Sequence, residues 1–130
     1  MKLMKRDLSI SIVDDDESMR ESLESLLKSM GFRVSLFPGA EEFLEAKGPT
    51  SADCLILDVR LGGMSGPQLQ RQLASTHPSL PIIFITGHGT ECLRERVIAD
   101  GAVECLLKPF SEEKLLAAVE AAAAWKPSAS

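Results

Sequence analysis

Cys54-Leu55-Ile56-Leu57-Asp58 is an unbroken apolar run closed by a carboxylate. A strand with one wet face would alternate apolar and polar residues. A short continuous run instead marks a strand covered on both faces, as at the centre of a parallel sheet. The shape recurs downstream, where Ile82-Ile83-Phe84-Ile85 follows Pro81 and stops at Thr86-Gly87-His88-Gly89. Upstream, Leu8-Ser9-Ile10-Ser11-Ile12-Val13 reads as a strand ending in Asp14-Asp15-Asp16, and residues 33–37 read as a second. A fifth, over residues 103–107, runs into Lys108-Pro109.

Helical patterns separate these strands. Met19, Leu23, Leu26, Leu27 and Met30 fall on one helix face, with Asp16 placed to cap it and Gly31 at the position after its end. A short helix carrying Phe43 and Leu44 follows Pro38-Gly39, and Lys47-Gly48-Pro49-Thr50-Ser51 reads as a loop. A Gly-rich loop (Gly62, Gly63, Gly66) leads to a helix with Leu69 and Leu73, and another helix spans about residues 91–100 before Gly101. The last starts at Ser111 and ends near Trp125, with Leu115, Leu116, Val119 and Ala122/Ala123 toward the core. Its second stripe, Lys114, Ala118, Ala121 and Trp125, is either a solvated face or a partner surface. Regular β–α alternation with short connections predicts an α/β fold: a doubly wound, five-stranded parallel sheet with helices on both faces.

Composition narrows the function classes. The 130 residues suit one domain. Nineteen acidic against fourteen basic residues, with no Lys/Arg cluster, argue against direct nucleic-acid binding. No apolar run approaches the roughly 18 residues of a membrane span, and no leader pattern follows the basic first residues. No membrane association and a cytoplasmic location are expected. Cys54, Cys92 and Cys105 form no C-x-x-C pair, so neither a disulfide frame nor a zinc site is expected.

In open α/β sheets, ligands bind beyond the carboxyl ends of the strands. Those ends carry Asp14, Asp15, Asp58, Thr86 and Lys108. Carboxylates gathered there repel one another, and a hard divalent cation with oxygen ligands relieves the repulsion. A carboxylate can also attack phosphorus and form an aspartyl phosphate. Phosphoryl transfer is catalysed mainly by positioning and by neutralising the equatorial oxygens. The cation, the Lys108 ammonium and the Thr86 hydroxyl would each meet one of them.

Ile12-Val13-Asp14-Asp15, Leu55-Ile56-Leu57-Asp58, Phe84-Ile85-Thr86-Gly87 and Leu107-Lys108-Pro109-Phe110 resemble the signature segments of receiver domains of two-component response regulators. Met64-Ser65-Gly66 and Thr86-Gly87-His88-Gly89 are similar to the FixJ-type members. The resemblance covers residues 8–125, leaving 1–7 as an N-terminal extension and 126–130 as a tail or the start of a linker. It implies the strand order 2-1-3-4-5, with Asp58 as phospho-acceptor and Thr86 and Lys108 assisting. It further implies Mg²⁺, or Mn²⁺ in its place, held directly by Asp15 and Asp58, through water by Asp14, and by the backbone carbonyl of Arg60. Arg60 and His88 would modulate hydrolysis, and the Lys108–Pro109 bond would be cis. Implied partners are a sensor histidine kinase, a second copy through the helix after Thr86, the last strand and the last helix, and a C-terminal DNA-binding domain outside this chain.

Two positions depart from the family pattern. Gly62 stands where Pro is usual, and Cys105 stands where most members carry the Tyr or Phe that turns inward as the Thr86 position moves. Cys105 therefore keeps open a receiver-fold interaction module that works without phosphorylation. Two other classes fit less well. Asp14-Asp15-Asp16-Glu17-Ser18 only loosely matches the D-x-D-x-[TV] of haloacid-dehalogenase-type phosphatases. A flavodoxin-like carrier would meet an acidic first loop that repels the flavin phosphate.

Overall fold

Alternate side chains of a strand leave by opposite faces, so a fully apolar strand feeds two cores at once. The computed structural model, which describes residues 8–87 and 91–125, shows both. Its strands are β1 (Ser9–Val13), β2 (Arg33–Phe37), β3 (Cys54–Asp58), β4 (Ile82–Thr86) and β5 (Glu104–Leu107). They form one parallel sheet in the order β2-β1-β3-β4-β5. The helices are α1 (Glu17–Ser29), α2 (Ala40–Glu45), α3 (Gly48–Ser51), α4 (Gly66–Thr76), α5 (Glu91–Ala99) and α6 (Glu112–Ala124). On one face, Ile10, Ile12, Ile56, Ile83 and Ile85 pack against Leu23 and Leu27 of α1 and Leu115 and Val119 of α6. On the other, Leu55, Leu57, Ile82 and Phe84 meet Phe43 of α2, Leu69 and Leu73 of α4, and Val97 of α5.

The local signals act as read. The Asp16 carboxylate accepts from the amides of Ser18 and Met19, and the Ser111 hydroxyl accepts from the Lys114 amide. Gly31 and Gly101 take positive φ at helix ends. Three expectations need correction. Residues 48–51, read as loop, close one helical turn, with Lys47 in the left-handed region before it and Pro49 in its first turn. Proline's fixed φ suits that first turn, so the chain has one short helix more than the pattern suggested. In α6, Ala118 belongs to the core and Ala123 to the surface. The stripe Lys114-Ala118-Ala121-Trp125 is therefore not a continuous exposed face.

Candidate functional site

The chain leaves β1 for β2 on one side and crosses back to β3 on the other, so the switch in strand order lies between β1 and β3. A crevice opens beyond the strand ends at such a switch. Val13 is paired with Leu57, so the next residues along, Asp14 and Asp58, come up side by side. Asp58 is paired with Ile85, which puts Thr86 one step further on β4, and Thr86 is paired with Leu107, which puts Lys108 one step beyond β5. Parallel register alone thus assembles residues separated by up to 94 positions in sequence.

One oxygen each from Asp14, Asp15 and Asp58 lies within 4.8 Å of the others. Asp14 is fully buried, Asp58 and Thr86 are buried, and Asp15 is exposed. Lys108 Nζ donates to Asp14 Oδ2 at 3.1 Å and to Asp58 Oδ2 at 3.5 Å. The Lys108–Pro109 bond is cis. Asp14 Oδ1 accepts from the Asp16 amide at 2.9 Å, and Asp58 Oδ1 accepts from the Arg60 amide at 3.1 Å.

The electrostatics follow from this crowding. Burial, and then the Asp14 charge beside it, push the Asp58 carboxyl up to about 6, against the opposing pull of the Arg60 amide and the Lys108 charge. Burial by itself would lower the Lys108 ammonium, but Asp58 and Asp14 outweigh it and hold its pKa above the ordinary value. An all-oxygen, carboxylate-rich set with one ammonium is short of positive charge. That deficit, which adds to burial in raising Asp58, fits Mg²⁺ or Mn²⁺, which prefer such ligands.

The structure also brings in groups that the sequence did not signal. Arg20 Nη1 donates to the Asp14 backbone oxygen at 2.6 Å, and Glu41 accepts from the Met64 amide across the loop after β3. Gly66 starts α4 so close to β3 that an added Cβ would overlap the Asp58 carbonyl oxygen. Arg60 is exposed, while Cys105 is buried at 8% exposure. Cys105 and Thr86 fall on the same face of the sheet, two strand positions apart in register. Burial raises the Cys105 thiol, with Arg94 opposing and Glu104 adding to it, which makes the thiol less reactive. His88 lies outside the described residues.

Comparison with known proteins agrees with this fold. Residues 10–120 match the family model of the response regulator receiver domain. The chain is 47% identical over 113 residues to the response regulator protein TmoT of Ectopseudomonas mendocina, a match covering 87% of this chain and 51% of the relative. It is 41% identical over 113 residues to the transcriptional regulatory protein FixJ of Bradyrhizobium diazoefficiens, covering 87% of this chain and 55% of the relative. A crystal structure of FixJ-N superposes with a TM-score of 0.83 at 36% identity, covering 94% of this chain and 98% of that one. This chain belongs to the response regulator receiver domain family, whose members are signalling domains. It spans about half the length of the curated relatives it matches. Among the described residues, no helix is long and apolar enough to cross a membrane.

Proposed function

We propose that this chain accepts a phosphoryl group on Asp58 from a sensor histidine kinase and relays the event to an output, by similarity to the transcriptional regulators a DNA-binding domain beyond residue 130. The observation that carries this reading is the grouping of Asp58 with Asp14 and Asp15 within 4.8 Å, with the Lys108 ammonium 3.5 Å from the Asp58 carboxylate. With its pKa at about 6, Asp58 is mainly the carboxylate at neutral pH. An Asp58 oxygen attacks the phosphorus, an O–P bond forms, and the P–N bond to the kinase histidine breaks, its electron pair staying on the imidazole.

Asp14, Asp15, Asp58 and the Arg60 backbone carbonyl would hold Mg²⁺, or Mn²⁺ in its place. When bound, the cation supplies positive charge to one phosphoryl oxygen. Lys108 moves from its carboxylate partners to a second oxygen, and the Thr86 hydroxyl donates to a third. Water attacks the phosphorus, the carboxylate returns and phosphate leaves, and Arg60 and His88 would modulate the rate of this step. The chain thus assists its own phosphorylation and dephosphorylation while acting on no other substrate. Residues 8–125 form the receiver unit in this reading.

The partner surface is α5, β5 and α6, through which two copies would pair. A groove of about 420 Å³ there is lined by Arg94, Cys105, Leu107, Phe110, Lys114 and Ala121, and Leu107 is 56% exposed. Cys105 favours a second reading, an interaction module that works without phosphorylation, since the inward-turning aromatic is missing.

One experiment separates the two. After incubation with acetyl phosphate and Mg²⁺, mass spectrometry should find one added phosphoryl group, labile to hydroxylamine. It should be lost in Asp58→Asn and without the cation. A label that persists on Asp58→Asn removes the acceptor assignment, and no label on the unaltered chain favours the second reading.

A further inference from the structure

The loop from Val59 to Ser65 is secured at both ends. The Val59 amide donates to the Ile85 oxygen at 3.0 Å, and the Arg60 amide donates to Asp58 Oδ1 at 3.1 Å. At the far end, Ser65 and Gln68 form a reciprocal cap on α4, and the Gly66 amide donates to the Val59 oxygen at 3.1 Å. Between these anchors stand Gly62 and Gly63, the latter at φ +75°, where L side chains are strained. Two successive glycines give a loop many conformations to lose on ordering.

Among the described residues, one hydrogen bond joins positions 61–64 to another element. The Met64 amide donates to Glu41 Oε2 at 2.9 Å, 23 residues away on the first turn of α2. The same carboxylate covers Gly63, since a Cβ there would lie 2.8 Å from Glu41 Oε2. The contact also acts on Glu41, whose carboxyl is held below its ordinary value first of all by the Met64 amide. A carboxylate accepting from a backbone amide is a charge-assisted bond, here weakened by the solvent around the exposed Glu41.

We infer that Glu41 is a positioning residue for the cation site: it clamps the Gly62-Gly63 loop so that Arg60, whose amide donates to Asp58 Oδ1, keeps its carbonyl available to the cation. The inference rests on the proposed metal site. Gly62 leaves the loop without the restraint a proline would give, and a carboxylate from a neighbouring helix supplies it instead. Glu41 itself touches neither the cation nor the phosphoryl group. Its effect passes through the backbone from Met64 to Arg60.

The test uses the whole chain with Mn²⁺ as the probe, its binding read by electron paramagnetic resonance and the loop by amide exchange. Glu41→Ala should speed exchange at Met64 and weaken Mn²⁺ binding about fivefold, the size of one modest hydrogen bond. Glu41→Gln keeps an acceptor oxygen and should recover most of both. Adding Gly62→Pro to Glu41→Ala should recover affinity without restoring protection at Met64. Unchanged affinity in Glu41→Ala overturns the inference. Equal weakening in Glu41→Gln and Glu41→Ala overturns it too, because charge alone would then be acting at a distance, and so does a Gly62→Pro addition that recovers nothing. If the unaltered chain fails to bind Mn²⁺, the metal-site reading falls. The clamp is then judged on the amides of Gly62, Gly63 and Met64, and unchanged exchange there in Glu41→Ala overturns it.

Discussion

Asp58 sits in a position that is costly to the folded chain and useful to the proposed chemistry. Its folded pKa of about 6 lies above the 3.8 of an unperturbed Asp, so the folded chain binds that proton more tightly than the unfolded one. Metal-free stability from this group is therefore greatest below 3.8, falls as pH rises, and is lost once pH passes about 6. Asp58→Asn removes the charge while keeping an acceptor for the Arg60 amide. At pH 7.5 in chelator it should raise Tm by about a few degrees, with the gain shrinking toward pH 4. Mg²⁺ should then stabilise the unaltered chain more than the variant. Thermal melts at both pH values, with and without the cation, check this, and a variant less stable at pH 7.5 than the parent would contradict it. Asp14, Asp58 and Lys108 were legible in the sequence because each ends a recognisable strand, and register does the rest. Arg20 and Glu41 were not, because a side chain reaching a backbone group outside its own helix leaves no spacing pattern.

At the scale of elements, β3 and β4 announced themselves because their buried runs are apolar up to the closing Asp58 and Thr86, and the long helices because their buried residues repeat with the helical period. The turn Gly48–Ser51 did not, because four residues carry no period and Gly-Pro reads as a breaker. Its role is one of packing. A Cβ on Gly48 would run into the ring of Phe43, which is fully buried in the α2 side of the core. The ring has nowhere to retreat, so Gly48→Ala should cost about 1–3 kcal/mol, as overpacking usually does. Thr50→Ala in the same turn changes an exposed residue and should stay within about 0.5 kcal/mol. Urea unfolding of the two variants gives the comparison. Equal stability would mean that this turn is not pressed against Phe43. Gln70 shows how two helices are joined on the same face. Its amide nitrogen donates to the Val97 oxygen of α5 at 3.0 Å, while its buried carbonyl oxygen has no hydrogen-bond partner among the described residues.

For the whole molecule, the question is how an event at Asp58 would reach the α5–β5–α6 surface without an aromatic at position 105. Thr86 lies on the same sheet face as Cys105, so drawing its hydroxyl toward a phosphoryl oxygen opens space on that side. A phenylalanine entering such a space gains roughly 1.5–3 kcal/mol of burial. Cys105 is already only 8% exposed and its side chain is small, so little is left for it to gain. The change must then travel through backbone. Gly87 follows Thr86, and an added Cβ there would meet nothing within 4 Å, so the end of β4 has backbone freedom. The segment leads directly into α5, which Gln70 ties to α4 and Arg94 ties to Glu104 of β5 at 2.7 Å. That ion pair is half exposed, so it resists movement only weakly. With a beryllofluoride mimic and Mg²⁺, amide exchange and NMR shifts should therefore change most at Thr86, Gly87 and along α5, and less around Cys105. If the mimic binds while α5 stays unchanged and the surroundings of Cys105 reorganise strongly, the thiol is the switch after all and the backbone route is wrong.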